Sequence, residues 1–397
     1  MDKCGLLGPT PSCFGARALS GRDGVSYNQC ILAGGAVAGA AVAAPSNVVQ
    51  QPADVIPAVR ADAPPLLGTT WDFILLGPGA TLGVSAMYLA LFALGRPGVA
   101  ALLATVLSLG VLGPHYAATY RRAYSSKEIL RAHPVVTLVM PVVLVAGAAA
   151  AVVSPRGFGP YYFLAYVAWS GYHYSGQSLG VAMLYPLRQK ARLDGREKRM
   201  LALPLYVSWV LSLVGLMGVG TAARNPAYEI VRCTFAPGVL PTWVRALALL
   251  PLLASFAGVA VIARERRLRG QPLPRAVYGV ILAQVIWFAW GIFYPFFNVV
   301  LVPVFHSLQY LALTGWHYTK GERSRGLVAF GGYIAVVLAL GLVINPGLLA
   351  IFVPGGDSPH ASVVAAAVIS AINLHHFLMD GRIWRMRDRR VAQAFTG

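Results

Sequence analysis

Apolar residues along the chain come in long uninterrupted stretches. Ten of them, near 73–94, 98–119, 135–153, 160–186, 201–220, 243–263, 276–297, 299–318, 327–352 and 361–380, run to about twenty residues each, the length an α-helix needs to cross a hydrocarbon core of ~30 Å. A membrane barrel would instead show short segments alternating between lipid and lumen. The pattern therefore predicts an all-α fold, a polytopic transmembrane helical bundle of about ten spans over residues 71–384. The seventh and eighth stretches nearly touch, and the aromatic, proline-interrupted Tyr294-Pro295-Phe296-Phe297-Asn298 between them suits an interfacial hairpin.

Residues 1–70 break the pattern. They are rich in Gly, Ala, Pro and Ser and hold one short small-residue run, Ile31 to Ala44, so a disordered leader is expected there. The run before Ala43-Ala44-Pro45 is similar to a signal-peptide core and cleavage site, but its charged residues lie far upstream and long apolar stretches follow. Residues 385–397 read as a basic cytoplasmic tail.

Composition agrees with a membrane protein: 57% of the 397 residues are hydrophobic and 12% charged, too little polar surface to coat a soluble globule of this size. The net charge of +18 changes the picture only through its distribution. Of 32 Lys and Arg, 23 fall in five clusters that follow every second apolar stretch, beginning with Arg121, Arg122, Lys127 and Arg131 and ending with Arg382, Arg385, Arg387, Arg389 and Arg390. That is the bias of cytoplasmic loops. It places both termini in the cytoplasm, argues against nucleic acid as a partner, and points to a multi-pass protein of a bacterial-type inner or plasma membrane, in contact with membrane lipids. The four cysteines show no CxxC pairing, so neither a disulfide framework nor a cysteine zinc site is indicated.

The candidate chemistry lies in the histidines. His115, His173, His306, His317, His375 and His376 fall inside or at the ends of even-numbered stretches, and odd-numbered stretches have none. Ionisable groups at such depth are expensive and usually functional. Counting ~1.5 Å per residue from the inner end of each stretch puts His173 and His306 ~19 Å deep, His115 and His375/His376 at ~6–8 Å, and His317 near the boundary. Two ligand levels are possible on that count, but a helix tilt of about 20° could partly equalise the depths into one shared site, with His115, His173, His306 and His376 as the ligand set and His317 and His375 as alternates. Gln177 shares a face with His173, Gln309 with His306, and Asn373, His376 and Asp380 form one face of the tenth span; these are the candidate partners of the ligands. Converging imidazoles suit Fe, Zn or Cu, with Asp380 available to offset the ion's charge. Interhelical hydrogen bonding is the alternative for His115 and His317, and headgroup contact for the His375/His376 pair.

The desaturase and alkane-hydroxylase group needs HxxxH and HxxHH boxes that this chain lacks, Ile372 standing where a leading His would be. Gly113-Pro114-His115, with the 58-residue step to His173, resembles instead the first ligand helix and ligand interval of the Brp/Blh-type β-carotene 15,15′-dioxygenases. The chain departs from that family in having no Asp after the Pro-His word, no HxxxH later, and two more spans. The resemblance implies histidine-held non-haem iron acting with oxygen on a lipid-soluble substrate. The expected function is thus a membrane metal oxidoreductase (iron first, zinc or copper next), taking a hydrophobic small-molecule substrate and served by a redox partner. The alternatives are a bis-histidine haem electron carrier through His173 and His306, and a transporter with a histidine proton relay.

Overall fold

A computed structural model describes residues 65–384, apart from 219–224, 237–239, 295–296, 322–325 and 346–357, together with residue 395. The expected leader, up to residue 64, and all of the expected tail except Phe395 lie outside these residues. Among the described residues there is no strand. The helices are α1 (Thr69–Leu76), α2 (Pro78–Ala93), α3 (Pro97–Tyr124), α4 (Lys127–Ala132), α5 (Val135–Val153), α6 (Gly159–Arg188), α7 (Gly195–Gly218), α8 (Pro226–Phe235), α9 (Thr242–Leu268), α10 (Arg275–Phe293), α11 (Phe297–Thr319), α12 (Gly326–Ile344) and α13 (Pro359–Ile383). Seven are long and apolar enough to cross a membrane, or eight if α1 and α2, bent by 51° at Gly77, make one span.

Helical structure occupies each of the ten predicted stretches. α8 has no counterpart among them: ten residues long and capped by Asn225, whose side chain accepts from Ala227 N at 3.1 Å, it packs against α6 and α13. It carries Cys233, which is disulfide-bonded, where the cysteine spacing indicated no disulfide framework.

Burial separates inner from outer helices. In α11 and α13, 72% and 67% of the most apolar window is buried, against 17% in α5 and 22% in α9. The outer helices expose Val142, Val145, Leu250 and Leu253, as lipid-facing surfaces do. The histidine-bearing helices α3, α6, α11 and α13 run in the same direction, because their C-terminal ends meet. The Arg122 guanidinium of α3 lies 3.9 Å from the ring centre of Trp384, just past α13, and its Nη1 is 3.4 Å from His317 Nδ1 of α11. Arg188 of α6 reaches the Trp316 ring of α11 at 5.8 Å.

Four π-helical turns interrupt this frame, at Asp72–Leu76, Ser108–Leu112, Val135–Val139 and Phe297–Leu301. Each is followed two residues later by a proline: Pro78, Pro114, Pro141 and Pro303. A proline lacks the N–H for its helical bond, and its ring collides with the carbonyl four residues back. Those carbonyls belong to Ile74, Gly110, Thr137 and Val299, the middle residue of each π turn. The widened turn takes up the collision and the helix runs on through Pro114, Pro141 and Pro303, whereas at Pro78 it breaks at Gly77. Two of the turns lie immediately ahead of His115 and His306.

Close packing holds the bundle where hydrophobic burial cannot distinguish helix from lipid. Gly113 of α3 and Gly341 of α12 cross so tightly that a Cβ on either would strike the other's backbone. Beyond the apolar core, Arg266 of α9 donates to both oxygens of Glu197 on α7 at 2.7 and 2.6 Å, and both side chains are buried. Gly341→Ala should therefore cost about 1–3 kcal/mol by overpacking, seen as a lower thermal unfolding midpoint in detergent. Gly331→Ala, where a Cβ meets nothing, should leave the midpoint unchanged or raise it. Equal midpoints for the two variants would refute the Gly113/Gly341 approach.

Candidate metal centre

Four of the six candidate histidines come together. One ring nitrogen from each of His115, His173, His306 and His376 lies within 4.8 Å of the others. The rings form a closed circuit: centroids are 4.8 Å apart for His115 and His306, 4.9 Å for His306 and His173, 5.2 Å for His173 and His376, and 4.3 Å for His376 and His115. Neighbours meet edge to face, at interplanar angles of 70–82°. His115, His306 and His376 are 0–1% exposed.

Of the two arrangements the sequence allowed, one shared site or two levels, the structure has the shared site. The inner ends of the apolar stretches were the wrong ruler, because the helices are not flush at that end. α6 continues fifteen residues past His173 to Arg188, whereas α3 continues nine past His115, to Tyr124.

The remaining two histidines stay outside. His375 turns away from the cluster on α13, with Nε2 at 3.1 Å from Val136 O and Nδ1 at 3.3 Å from the Tyr120 hydroxyl. His317 sits beside Arg122, Trp384 and Phe395. One helical turn from His376 on the same α13, Asp380 directs Oδ2 toward the cluster, 3.3 Å from His376 Nε2 and 3.8 Å from His173 Nε2.

Hydrogen-bond accounting sets this cluster apart. Both ring nitrogens of His115, His306 and His376, Nε2 of His173 and Oδ2 of Asp380 are buried with no hydrogen-bond partner. Buried polar atoms are nearly always paired, and exceptions call for an ion, a water or a chemical role. The other Asp380 oxygen is well held. The Tyr310 hydroxyl donates to Oδ1 at 3.1 Å and Thr119 Oγ1 lies 2.9 Å from it, while Trp384 Nε1 donates to the Tyr310 oxygen at 2.9 Å. One carboxylate oxygen is anchored and the other is left for the cluster.

The amides predicted as partners of the imidazoles do other work. Gln177 donates to the backbone carbonyl of His306 at 2.9 Å, tying α6 to α11. Gln309 donates to Leu76 O at 2.8 Å, where α1 breaks. Asn373 accepts from the Tyr116 hydroxyl at 2.6 Å, and the Tyr116 ring stands edge-on to His376 at 5.1 Å. One contributor was missed. Thr119 lies four residues after His115, as Tyr310 does after His306, so the same i,i+4 reading that picked Asp380 and Gln177 finds it too. Tyr310 and Phe377 were legible as aromatics close to the histidines in sequence, and Phe377 stacks on His173 at 4.5 Å.

A cavity of about 510 Å³ opens beside the cluster, with His173 and Asp380 in its wall. The rest of its lining is mostly apolar and aromatic, including Trp169, Tyr172, Leu184 and Phe377, and Tyr172 is also 51% exposed on the outer surface. Size and lining are those of a small-molecule site.

Compared with known proteins, the chain matches no family model, no curated protein and no solved structure. The likeness to the Brp/Blh-type family thus stays with the Pro-His word and the interval that carry it. Gln309→Leu should destabilise the fold by about 1–3 kcal/mol, because Leu76 O is then buried without its donor. A thermal midpoint matching wild type in detergent would show that this carbonyl does not depend on Gln309.

Proposed function

We propose that His115, His173, His306 and His376 hold one transition-metal ion and that the chain is an integral-membrane oxidoreductase acting on a lipid-soluble substrate. The observation that carries this reading is the set of unpartnered ring nitrogens gathered at one buried point. In a lipid-embedded interior such nitrogens are costly unless ligated. Imidazole donors suit iron, copper and zinc, and iron is favoured for the resemblance of Pro114-His115 and the following interval to a family of histidine-iron oxygenases. Asp380 supports the same reading, since a dication in a low-dielectric site needs a nearby negative charge.

A transition-metal ion held by His115, His173, His306 and His376 would supply redox chemistry with oxygen. The chain's own residues do the rest. Thr119 and Tyr310 hold Asp380 so that its free oxygen faces the imidazoles. Gln177 fixes the backbone of His306, and Phe377 stacks on His173 between cluster and cavity. The apolar cavity excludes water and brings the substrate alongside His173 and Asp380. Haem fits less well. A macrocycle between His173 and His306 needs a flat slot separating them, and these rings are in contact, their centroids 4.9 Å apart.

In this reading the bundle crosses the membrane about ten times with both termini in the cytoplasm, the basic clusters marking the inner side. Residues 1–70 are a leader and 385–397 a tail. The host is an inner or plasma membrane of bacterial type, and electrons come from a redox partner.

Elemental analysis of detergent-purified protein should find about one metal ion per chain in wild type and a loss of most of it in His173→Ala and His376→Ala. Stoichiometric metal retained in both variants would remove these residues from the ligand set, and an intense Soret band would replace the non-haem ion with haem. Tyr310→Phe removes the donor on Asp380 and should weaken metal binding by ~10–100-fold, the usual cost of losing such a supporting bond, as read by competition with a chelator. Acid should release the metal, because ligand imidazoles must be unprotonated to bind.

A further inference from the structure

The cavity beside the metal centre has a directional floor. On α6 its wall runs from Trp169 and Tyr172 through His173, Gly176, Gln177, Gly180 and Val181 to Leu184, at spacings of three and four that define one helix face. Two of these eight are glycines in the interior of a thirty-residue helix. Glycine is, proline aside, the poorest helix former, and it is usually kept there because a neighbour needs the space. Here no neighbour does. A Cβ on Gly180 would meet nothing within 4 Å, and one on Gly176 only the Tyr206 hydroxyl at 4.0 Å. The space the two glycines clear belongs to the cavity.

From Trp169 to Leu184 the floor runs fifteen residues, ~22 Å at the helical rise, and its part beyond His173 runs eleven, ~16 Å, about half of a ~30 Å hydrocarbon core. That is the reach of one extended chain within a single leaflet. At one end Asp380 Oδ2, buried and without a hydrogen-bond partner, faces the cavity beside His173. The wall also contains Arg382, exposed and the one Arg or Lys among the described lining residues. An apolar trough with one cation at its rim matches a chain with one anionic end.

Resting on the proposed metal centre, we infer that the substrate is a single-chain anionic amphiphile, with a carboxylate or phosphate head at Arg382 and its hydrocarbon chain laid along Gly176 and Gly180 beside His173. The glycines set chain occupancy and Arg382 selects the head. An Arg–carboxylate or Arg–phosphate contact is charge-assisted and directional, whereas a neutral ester offers only a weak acceptor.

The test uses the full chain in phosphatidylcholine nanodiscs, titrated with radiolabelled palmitate, methyl palmitate and farnesyl phosphate, with metal content measured on the same samples. Wild type should bind palmitate or farnesyl phosphate saturably and methyl palmitate ~10-fold more weakly, a difference of ~1.4 kcal/mol. Preference between the two anions assigns the head as carboxylate or phosphate. Gly180→Leu should weaken binding of the preferred anion by ~10-fold or more, with metal retained. Arg382→Gln should bring that anion down to the level of methyl palmitate and leave methyl palmitate unchanged. Gly180→Ala guards against misfolding: its melting midpoint should equal or exceed that of wild type, and its affinity should fall between those of wild type and Gly180→Leu.

Wild-type affinity in Gly180→Leu, equal binding of acid and ester, or no binding of either anion would overturn the inference. Absence of metal from wild type would strike the metal-centre reading, and is scored separately from the binding data.

Discussion

An imidazole buried in a membrane bundle with neither nitrogen hydrogen-bonded is a heavily disfavoured group, and this chain presses three such imidazoles together with a fourth, His173, whose Nε2 is unpartnered. Lipid offers no water to relieve them, and among the described residues no hydrogen bond meets these nitrogens, with Asp380 Oδ2 3.3 Å from His376 Nε2. The rest of the bundle serves to keep that arrangement from flying apart. The Gly113/Gly341 crossing pins α3 immediately ahead of His115. The Gln177 bond ties the backbone of His306 to α6, and Tyr116 and Asn373 bridge α3 to α13 beside His376.

Because the four histidine helices run in the same direction with their rings at one level, the residue one turn further along each helix also falls at one level. Those residues are Thr119, Gln177, Tyr310 and Asp380. Three of them form the hydrogen-bonded group around Asp380 Oδ1, and Gln177 and Asp380 both face the cavity. The site is thus two stacked tiers, imidazoles above and oxygen and amide groups below. Parallel helices at matched heights generate the second tier from the first.

The long apolar stretches were easy to read because a bilayer demands them, and helices lie where those stretches are. The gathering of His115, His173, His306 and His376 was suggested by their restriction to alternate stretches, which puts them on helices of one direction. Their common height was hidden, because apolar length marks the membrane and says nothing of how far α6 or α3 protrudes. The roles of Gln177 and Gln309 were misjudged for a related reason: spacing along a helix tells which residues share a face, but not which neighbouring helix that face meets. α8 escaped notice because ten residues tucked against α6 and α13 need no sustained apolar run. The π turns were written in the prolines, two residues beyond each turn, but a proline alone does not say whether a helix kinks, ends or widens.

The four gathered side chains are spread from the second apolar stretch to the last, His115 to His376, and this has a consequence for biosynthesis. Helices enter a bilayer in the order in which a ribosome makes them, so the first three rings are in place before the final one has been translated. Until α13 arrives, α3, α6 and α11 present an incomplete, open-sided pocket that lacks both its fourth nitrogen and the Asp380 carboxylate beside it. Completion of the centre is therefore tied to completion of the polypeptide through its last described helix, and a nascent chain halted short of that helix carries no finished centre.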